Sequence, residues 1–207
     1  IGLLLVWKKP KNTVFFAKEG VESAALCWII MSIFGALPFV LCGDIPSFTD
    51  ALFETISGFT TTGASILKDV ESLSRCSMFW RCFTHWIGGM GVIVFLMTVL
   101  PLTGGSWIHL LRAESPGPSV GKLVPRMRHT AGILYLIYLC MTIIEIVLLL
   151  FGGVNWFDAV TISFGTAGTG GFSILNSGFV TYSSYVKIVV AVFMMLFGVN
   201  FNVYFLM

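Results

Sequence analysis

The sequence predicts an all-α membrane protein made of two parallel repeats, each a helix, a re-entrant pore helix with an extended filter loop, and a second helix. Three observations lead there. The chain is 57% hydrophobic and 11% charged, with mean hydropathy +0.93, whereas soluble domains carry charge on about a quarter of their residues. Four apolar stretches approach the roughly 20 residues that cross a hydrocarbon core of about 30 Å. Residues 47–67 align without a gap on residues 155–175, a spacing of 108.

The same composition excludes several classes. A net charge of +2 is too small for a nucleic-acid footprint, which needs clustered Lys and Arg on a wettable surface. Disorder is excluded by the apolar content. Cys27, Cys42, Cys76, Cys82 and Cys140 are an odd set without C-x-x-C, so they read as small apolar fillers rather than a disulfide framework or zinc site. The glycine-rich run 165–171 lacks the Lys-Ser/Thr of a P-loop and follows no soluble strand. No nucleophile, base and acid set points to an enzyme, and no cofactor is expected.

The expected spans are residues 23–42, 79–100, 130–151 and 185–207. The first is too long for a signal-peptide core and no small-residue cleavage site follows it. Lys8, Lys9, Lys11 and Lys18 precede it, and Arg112, Lys122, Arg126 and Arg128 lie between the second and third spans. The positive-inside rule makes both stretches cytoplasmic. The connections 43–78 and 152–184 then share the external face. The chain divides accordingly into a basic cytoplasmic segment (1–22), a first repeat (23–101), a cytoplasmic linker (102–129) and a second repeat (130–207) whose last helix is expected to be truncated, the chain reading as a fragment.

Each external connection is too long for a hairpin turn and runs from a moderately apolar stretch into threonine and glycine. The gap-free register pairs Asp50 with Asp158, Ala51 with Ala159, Thr61 with Thr169 and Gly63 with Gly171, and continues through Ser65 and Ser173 to Leu67 and Leu175. Asp50 reads as the first-turn acid of a short helix ending near Phe59, part-way into the membrane. The carbonyl end of that helix carries about half a negative charge. The extended runs beyond it present backbone carbonyls at a depth where irregular backbone survives only if buried in protein or lining water. A cation is the natural ligand. Carbonyls of successive residues that face one axis force φ to alternate in sign, which favours glycine and which β-branched residues resist. Rings of such carbonyls replace the hydration shell of K⁺. The filter residues are therefore expected at Thr60, Thr61, Thr62 and Gly63 and at Gly168, Thr169, Gly170 and Gly171, with K⁺ held by the carbonyls of Thr61, Thr62, Thr169 and Gly170.

The runs Phe53-Glu54-Thr55-Ile56-Ser57-Gly58-Phe59-Thr60-Thr61-Thr62-Gly63-Ala64-Ser65, His85-Trp86-Ile87-Gly88-Gly89-Met90-Gly91-Val92-Ile93-Val94-Phe95 and Arg112-Ala113-Glu114-Ser115-Pro116-Gly117-Pro118 resemble the TrkH/TrkG branch of the Trk/Ktr/HKT potassium-transporter superfamily. Gly170-Gly171-Phe172-Ser173 resembles its second filter loop. The resemblance implies potassium transport across the inner membrane through four helix, pore-loop, helix repeats with one filter glycine each, of which this chain would hold the first two. It implies as partners the remaining half of the same transporter, a second copy in a homodimer, a cytoplasmic nucleotide-binding regulatory subunit that Arg126 and Arg128 would face, and the lipid bilayer, but no nucleic acid. The gate elements of the third and fourth repeats would lie elsewhere. The repeat register favours Gly171 as the second filter glycine, with Gly170 the alternative. A mixed K⁺/Na⁺ transporter, a small-solute transporter and a non-conducting scaffold are the competing readings.

Other residues take plainer roles. Gly88, Gly89 and Gly91 read as a close helix-packing face, or as room for a filter loop behind the pore. His85 reads as interfacial or packing rather than as a ligand. Arg81 and Lys187 sit near span ends, where their charged heads would reach water. Glu145, the acid inside a span, needs a partner or a proton.

Overall fold

The computed structural model describes residues 17–91, 127–199 and 203–204. Its main helices are α1 Ala17–Cys42, α2 Phe48–Phe59, α3 Arg75–Met90, α4 Met127–Phe151, α5 Trp156–Ala167 and α6 Ser184–Gly198, and no strand occurs among the described residues. Long, short and long helices thus alternate twice. α1 and α4 are long and apolar enough to cross a membrane. They turn large apolar side chains outward, among them Leu26, Ile29, Leu41, Leu136, Ile144 and Phe151, a surface that water would penalise and hydrocarbon accepts.

Several boundaries differ from the sequence expectation. α1 begins at Ala17 and α4 at Met127, earlier than residues 23 and 130. α3 begins at Arg75 rather than 79, because Ser74 caps it by accepting from the Ser77 N–H at 3.3 Å. α3 also stops well short of residue 100. Gly91 takes φ 86° and its N–H returns to the Gly88 carbonyl, a left-handed break that glycine tolerates. Residues 92–100 and nearly all of the linker, with Arg112, Lys122 and Arg126, lie outside the described residues, as does the side chain of Arg128.

The short helices α2 and α5 have the same length, 12 residues, or about 18 Å at 1.5 Å per residue. Ser47 caps α2 and Asn155 caps α5 through their side-chain oxygens, and Asp50 and Asp158 occupy the first turns, where a negative charge meets the positive end of the helix.

α3 is the element on which the two repeats meet, packing against α1 and α2 on one side and α5 on the other, while α4, α5 and α6 pack together. Its apolar face joins the larger core, with Met78, Cys82, Trp86, Ile87 and Met90 against Tyr138, Ile162, Val190 and Phe197. Two side-chain hydrogen bonds in this core cross between the repeats. The Tyr138 hydroxyl donates to the Trp86 carbonyl at 2.8 Å, and the Trp86 indole N–H donates to the Thr142 hydroxyl at 3.1 Å. In the first repeat the Trp80 indole donates to the Gly35 carbonyl at 2.8 Å. Gly35 itself leaves the space that Thr55 and Phe59 of α2 fill.

Candidate functional site

α2 ends in a tight left-handed turn. The Thr61 N–H bonds to the Gly58 carbonyl at 3.0 Å and the Thr62 N–H to the Ser57 carbonyl at 3.0 Å, the double closure of a Schellman cap, whose left-handed position usually belongs to glycine. Here it belongs to Thr61, with φ 54°. Thr169, its counterpart after α5, has the same φ, and its N–H bonds to the Thr166 carbonyl at 2.8 Å. A β-branched residue at positive φ is a genuine outlier costing on the order of 1–3 kcal/mol, and the chain accepts it twice, at equivalent places. Gly63 and Gly171 then take φ 73° and 75°. The sign alternates as expected, but threonine adopts the conformation that β-branched residues were expected to resist. Gly170 is not among the positive-φ residues and stands at the position of Thr62, so the backbone equivalent of Gly63 is Gly171.

The two loops abut. A Cβ added to Gly63 would collide with the Gly170 carbonyl, and one added to Gly170 would lie 2.5 Å from the Thr61 carbonyl oxygen. Thr61, Gly63 and Gly170 therefore meet. Thr60 and Thr62 stay exposed and join their hydroxyls at 2.8 Å, with the Thr60 hydroxyl also close to the Ile56 carbonyl. On the other side Gly168 is buried, while Thr169 and Gly171 are exposed.

α3 supports both loops from behind through consecutive glycines. A Cβ on Gly88 would strike the carbonyl of Phe59, the last residue of α2. One on Gly89 would lie 2.8 Å from the carbonyl of Ala167, the last residue of α5. The two sequence readings of this glycine face, helix packing and room for a loop, thus describe one contact. His85, one turn earlier, is fully buried, lies against Gly168 and Gly170, and meets the Phe172 ring edge-on at 4.5 Å. It is a packing residue, not an interfacial one.

This geometry has relatives. The TrkH family model, described as cation transport protein, matches residues 2–207. The chain belongs to the TrkH family. It is 37% identical to the Trk system potassium uptake protein TrkH of Escherichia coli K12 over 99% of this chain and 43% of that protein. It is 35% identical to TrkG of the same organism over 91% of this chain and 40% of that protein. The crystal structure of the potassium transporter TrkH from Vibrio parahaemolyticus superposes with a TM-score of 0.74 at 31% identity, covering 96% of this chain and 39% of that one. The chain therefore spans about two fifths of the length of these relatives. The family is one of transport proteins rather than enzymes.

Within this TrkH-family fold, the sequence reading missed the charged group behind the loops. Arg81 was expected to reach water at a span end. It is instead 2% exposed, and its Nε donates to Glu54 Oε1 at 2.6 Å. α3 begins at Arg75, so residue 81 lies nearly two turns inside it, on the face that meets α2. Glu54, 1% exposed, stands out in the sequence only as a member of the Phe53–Ser65 run. Periodicity does not reveal such a pair. The signal available was a carboxylate in mid-helix with an arginine 27 residues on, both in apolar surroundings, where isolated charges are not tolerated.

Two further placements complete the site. Glu145 is fully buried on α4, and its carboxylate oxygens make no hydrogen bond among the described residues, with the Thr166 side chain beside it. Of the two outcomes expected for it, a partner or a proton, no charged partner is found among the described residues. Outside the helices, Asn176 ties the two external connections. It accepts from the Val70 N–H at 2.8 Å, donates from Nδ2 to Asp69 Oδ1 at 2.7 Å, and its N–H donates to Glu71 Oε1 at 2.9 Å. The Asn176 hydrogen bond holds the Asp69 carboxyl below its ordinary pKa, as Ser74 does for Asp44.

Proposed function

We propose that this chain forms two sectors of a potassium pathway across the cytoplasmic membrane, with K⁺ passing between carbonyls of two re-entrant loops. The observation that carries the reading is the matched backbone of those loops, left-handed at Thr61 and Thr169 and again at Gly63 and Gly171, with Gly63 seated on the Gly170 carbonyl. Threonine at positive φ is costly, and such strain persists where the backbone direction itself serves a purpose. The carbonyls of Thr61, Thr62, Thr169 and Gly170 are the proposed ligands, beside Thr60, Gly63, Gly168 and Gly171, and the ion gains in addition from the negative ends of α2 and α5. The printed names of the relatives, potassium uptake protein and potassium transporter, support K⁺ as the ion. The basic residues at and before the starts of α1 and α4 support an external position for the loops.

Two sectors give half of a carbonyl ring, and a dehydrated K⁺ needs ligands from all sides. The remaining sectors come from the rest of a longer transporter, which in this reading works in the inner membrane as a homodimer with a nucleotide-binding cytoplasmic subunit. The test is ion flux in liposomes. The full-length transporter carries K⁺ in preference to Na⁺, and the 207-residue chain alone does not. Equal K⁺ and Na⁺ flux from the full-length protein would favour a mixed transporter, absence of flux a scaffold, and robust K⁺-selective flux from a monomer of this chain would overturn the half-ring.

A further inference from the structure

Carbonyl ligands need no side-chain charge, yet a buried ion pair stands directly behind the loops. Glu54 uses both carboxylate oxygens. Beside the Arg81 Nε, they accept from the Ser65 hydroxyl at 2.9 and 3.1 Å and from the Ile66 N–H at 3.1 Å. Arg81 extends a second arm across the repeat boundary, Nη1 donating to the Ser173 carbonyl at 2.9 Å, with its guanidinium 3.7 Å from the centre of the Phe172 ring. Ser65 and Ser173 occupy the same repeat position, each two residues beyond its glycine. One ion pair therefore grips both loops at the point where each leaves the candidate filter. Arg81, Gly63 and Gly171 also line one cavity of about 300 Å³.

Packing alone does not require these charges. At the equivalent places, 108 residues on, the second repeat carries Ile162 and Val189, both buried in one apolar cluster, and apolar replacement of a buried ion pair is often neutral or stabilising. What the aliphatic solution lacks is the reach to the other loop. Arginine has it because its fork presents Nε and Nη1 in fixed, different directions, which the single ammonium of lysine does not.

We propose that Arg81, neutralised by Glu54, is the positioning residue that sets the spacing of the two loops and so tunes which monovalent cation they accept. The proposal rests on reading the loops as the ion pathway. Selectivity by carbonyls depends on how far apart they are held or how stiffly, and the Arg81 bridge acts on both. The positive charge beside a cation pathway is tolerable because Glu54 cancels it.

The experiment uses the full-length transporter in liposomes, with K⁺ and Na⁺ fluxes measured separately and thermal stability alongside. The double variant Glu54→Ile with Arg81→Val installs the second repeat's own solution. It keeps the parent's melting temperature, and its K⁺/Na⁺ flux ratio falls about fivefold, the factor that one net hydrogen bond carries. Arg81→Lys keeps the charge against Glu54 but loses the second arm, and shows a similar fall, so it reads the same ratio should the double variant not accumulate. Glu54→Gln keeps the shape, leaves the guanidinium unneutralised, and lowers both fluxes together. An unchanged K⁺/Na⁺ ratio in Arg81→Lys or in the double variant overturns the positioning role, and undiminished flux in Glu54→Gln overturns the neutralising one. A parent without K⁺ flux would instead sink the underlying reading of the loops.

Discussion

The two repeats build the same backbone from different chemistry. α2 and α5 share their length and a side-chain oxygen at the N-cap, and the loops after them share their left-handed positions. Behind the loops the likeness ends. The first repeat holds its loop with Glu54, Arg81 and Ser57, whose hydroxyl donates to the Ala64 carbonyl at 2.5 Å. The second has Ile162, a valine and Gly165 in those places, and a Cβ on Gly165 would lie 2.7 Å from the Phe172 carbonyl. The first loop is tethered by side chains of its own repeat, whereas the second is held by close backbone approach within its repeat and by Arg81 reaching over from the first. The lesson is that the path of the main chain is the shared property, while its support is free to differ.

The sharpest test of that comparison lies at the glycines themselves. Gly63→Ser and Gly171→Ser both place a side chain at positive φ, costing on the order of 1–2 kcal/mol. Gly63→Ser also drives a Cβ into the Gly170 carbonyl, whereas a Cβ on Gly171 meets nothing within 4 Å. Overpacking adds about 1–3 kcal/mol, so Gly63→Ser in the full-length protein loses more thermal stability and more K⁺/Na⁺ discrimination than Gly171→Ser. Equal losses would mean that the loops do not abut.

Comparable in size is the charged support. Arg81→Ala leaves Glu54 buried without its partner and lowers stability by about 3–5 kcal/mol, read by thermal melting in detergent. Val189→Ala in the second repeat removes two methyl groups and no charge, and its melting temperature falls less. A smaller effect comes from exchanging the tethers. Ser57→Ala unpairs the Ala64 carbonyl from its hydroxyl for about 1–2 kcal/mol, while Gly165→Ser costs more because the Phe172 carbonyl must move.

The smallest effect is on the external connections and depends on pH. Asp69 and Asp44 have their carboxyl pKa values held down by Asn176 and Ser74. A lowered folded-state pKa contributes stability above the unfolded value, roughly 3.9, and that contribution is lost as pH falls through the folded value. Hydrogen-exchange protection around residues 69–76 is therefore unchanged from neutral pH down to about 5 and declines only below about 3.9. Loss of protection already at neutral pH on Asn176→Ala would confirm the tie; a decline near pH 6 would point to other groups.

Much of this was legible in the sequence. The gap-free register located both short helices, whose ends fall at Phe59 and Ala167, and it paired Gly63 with Gly171, the two glycines whose φ the structure finds alike. The glycines at 88 and 89 announced a close approach. What stayed hidden lies in contacts between elements far apart in the chain. Arg81 meets partners 27 and 92 residues away, and no local pattern distinguishes an arginine that reaches water from one that turns inward. For His85 the sequence left interfacial and packing roles open, and what decides for packing, the second repeat's loop against its ring, is likewise distant in the chain. The early end of α3 turned on the conformation of Gly91, which its identity permits but does not impose.

The reach of Arg81 also sets an order in time. Glu54 precedes it by 27 residues, whereas Ser173 follows it by 92. At a synthesis rate of about 5–20 residues per second, several seconds separate the appearance of Arg81 from that of its second anchor. Throughout that interval the carboxylate that neutralises the guanidinium is already in the chain, whereas the carbonyl that its second arm reaches is not. Chain order alone thus supplies the charge-cancelling partner first and the cross-repeat partner last.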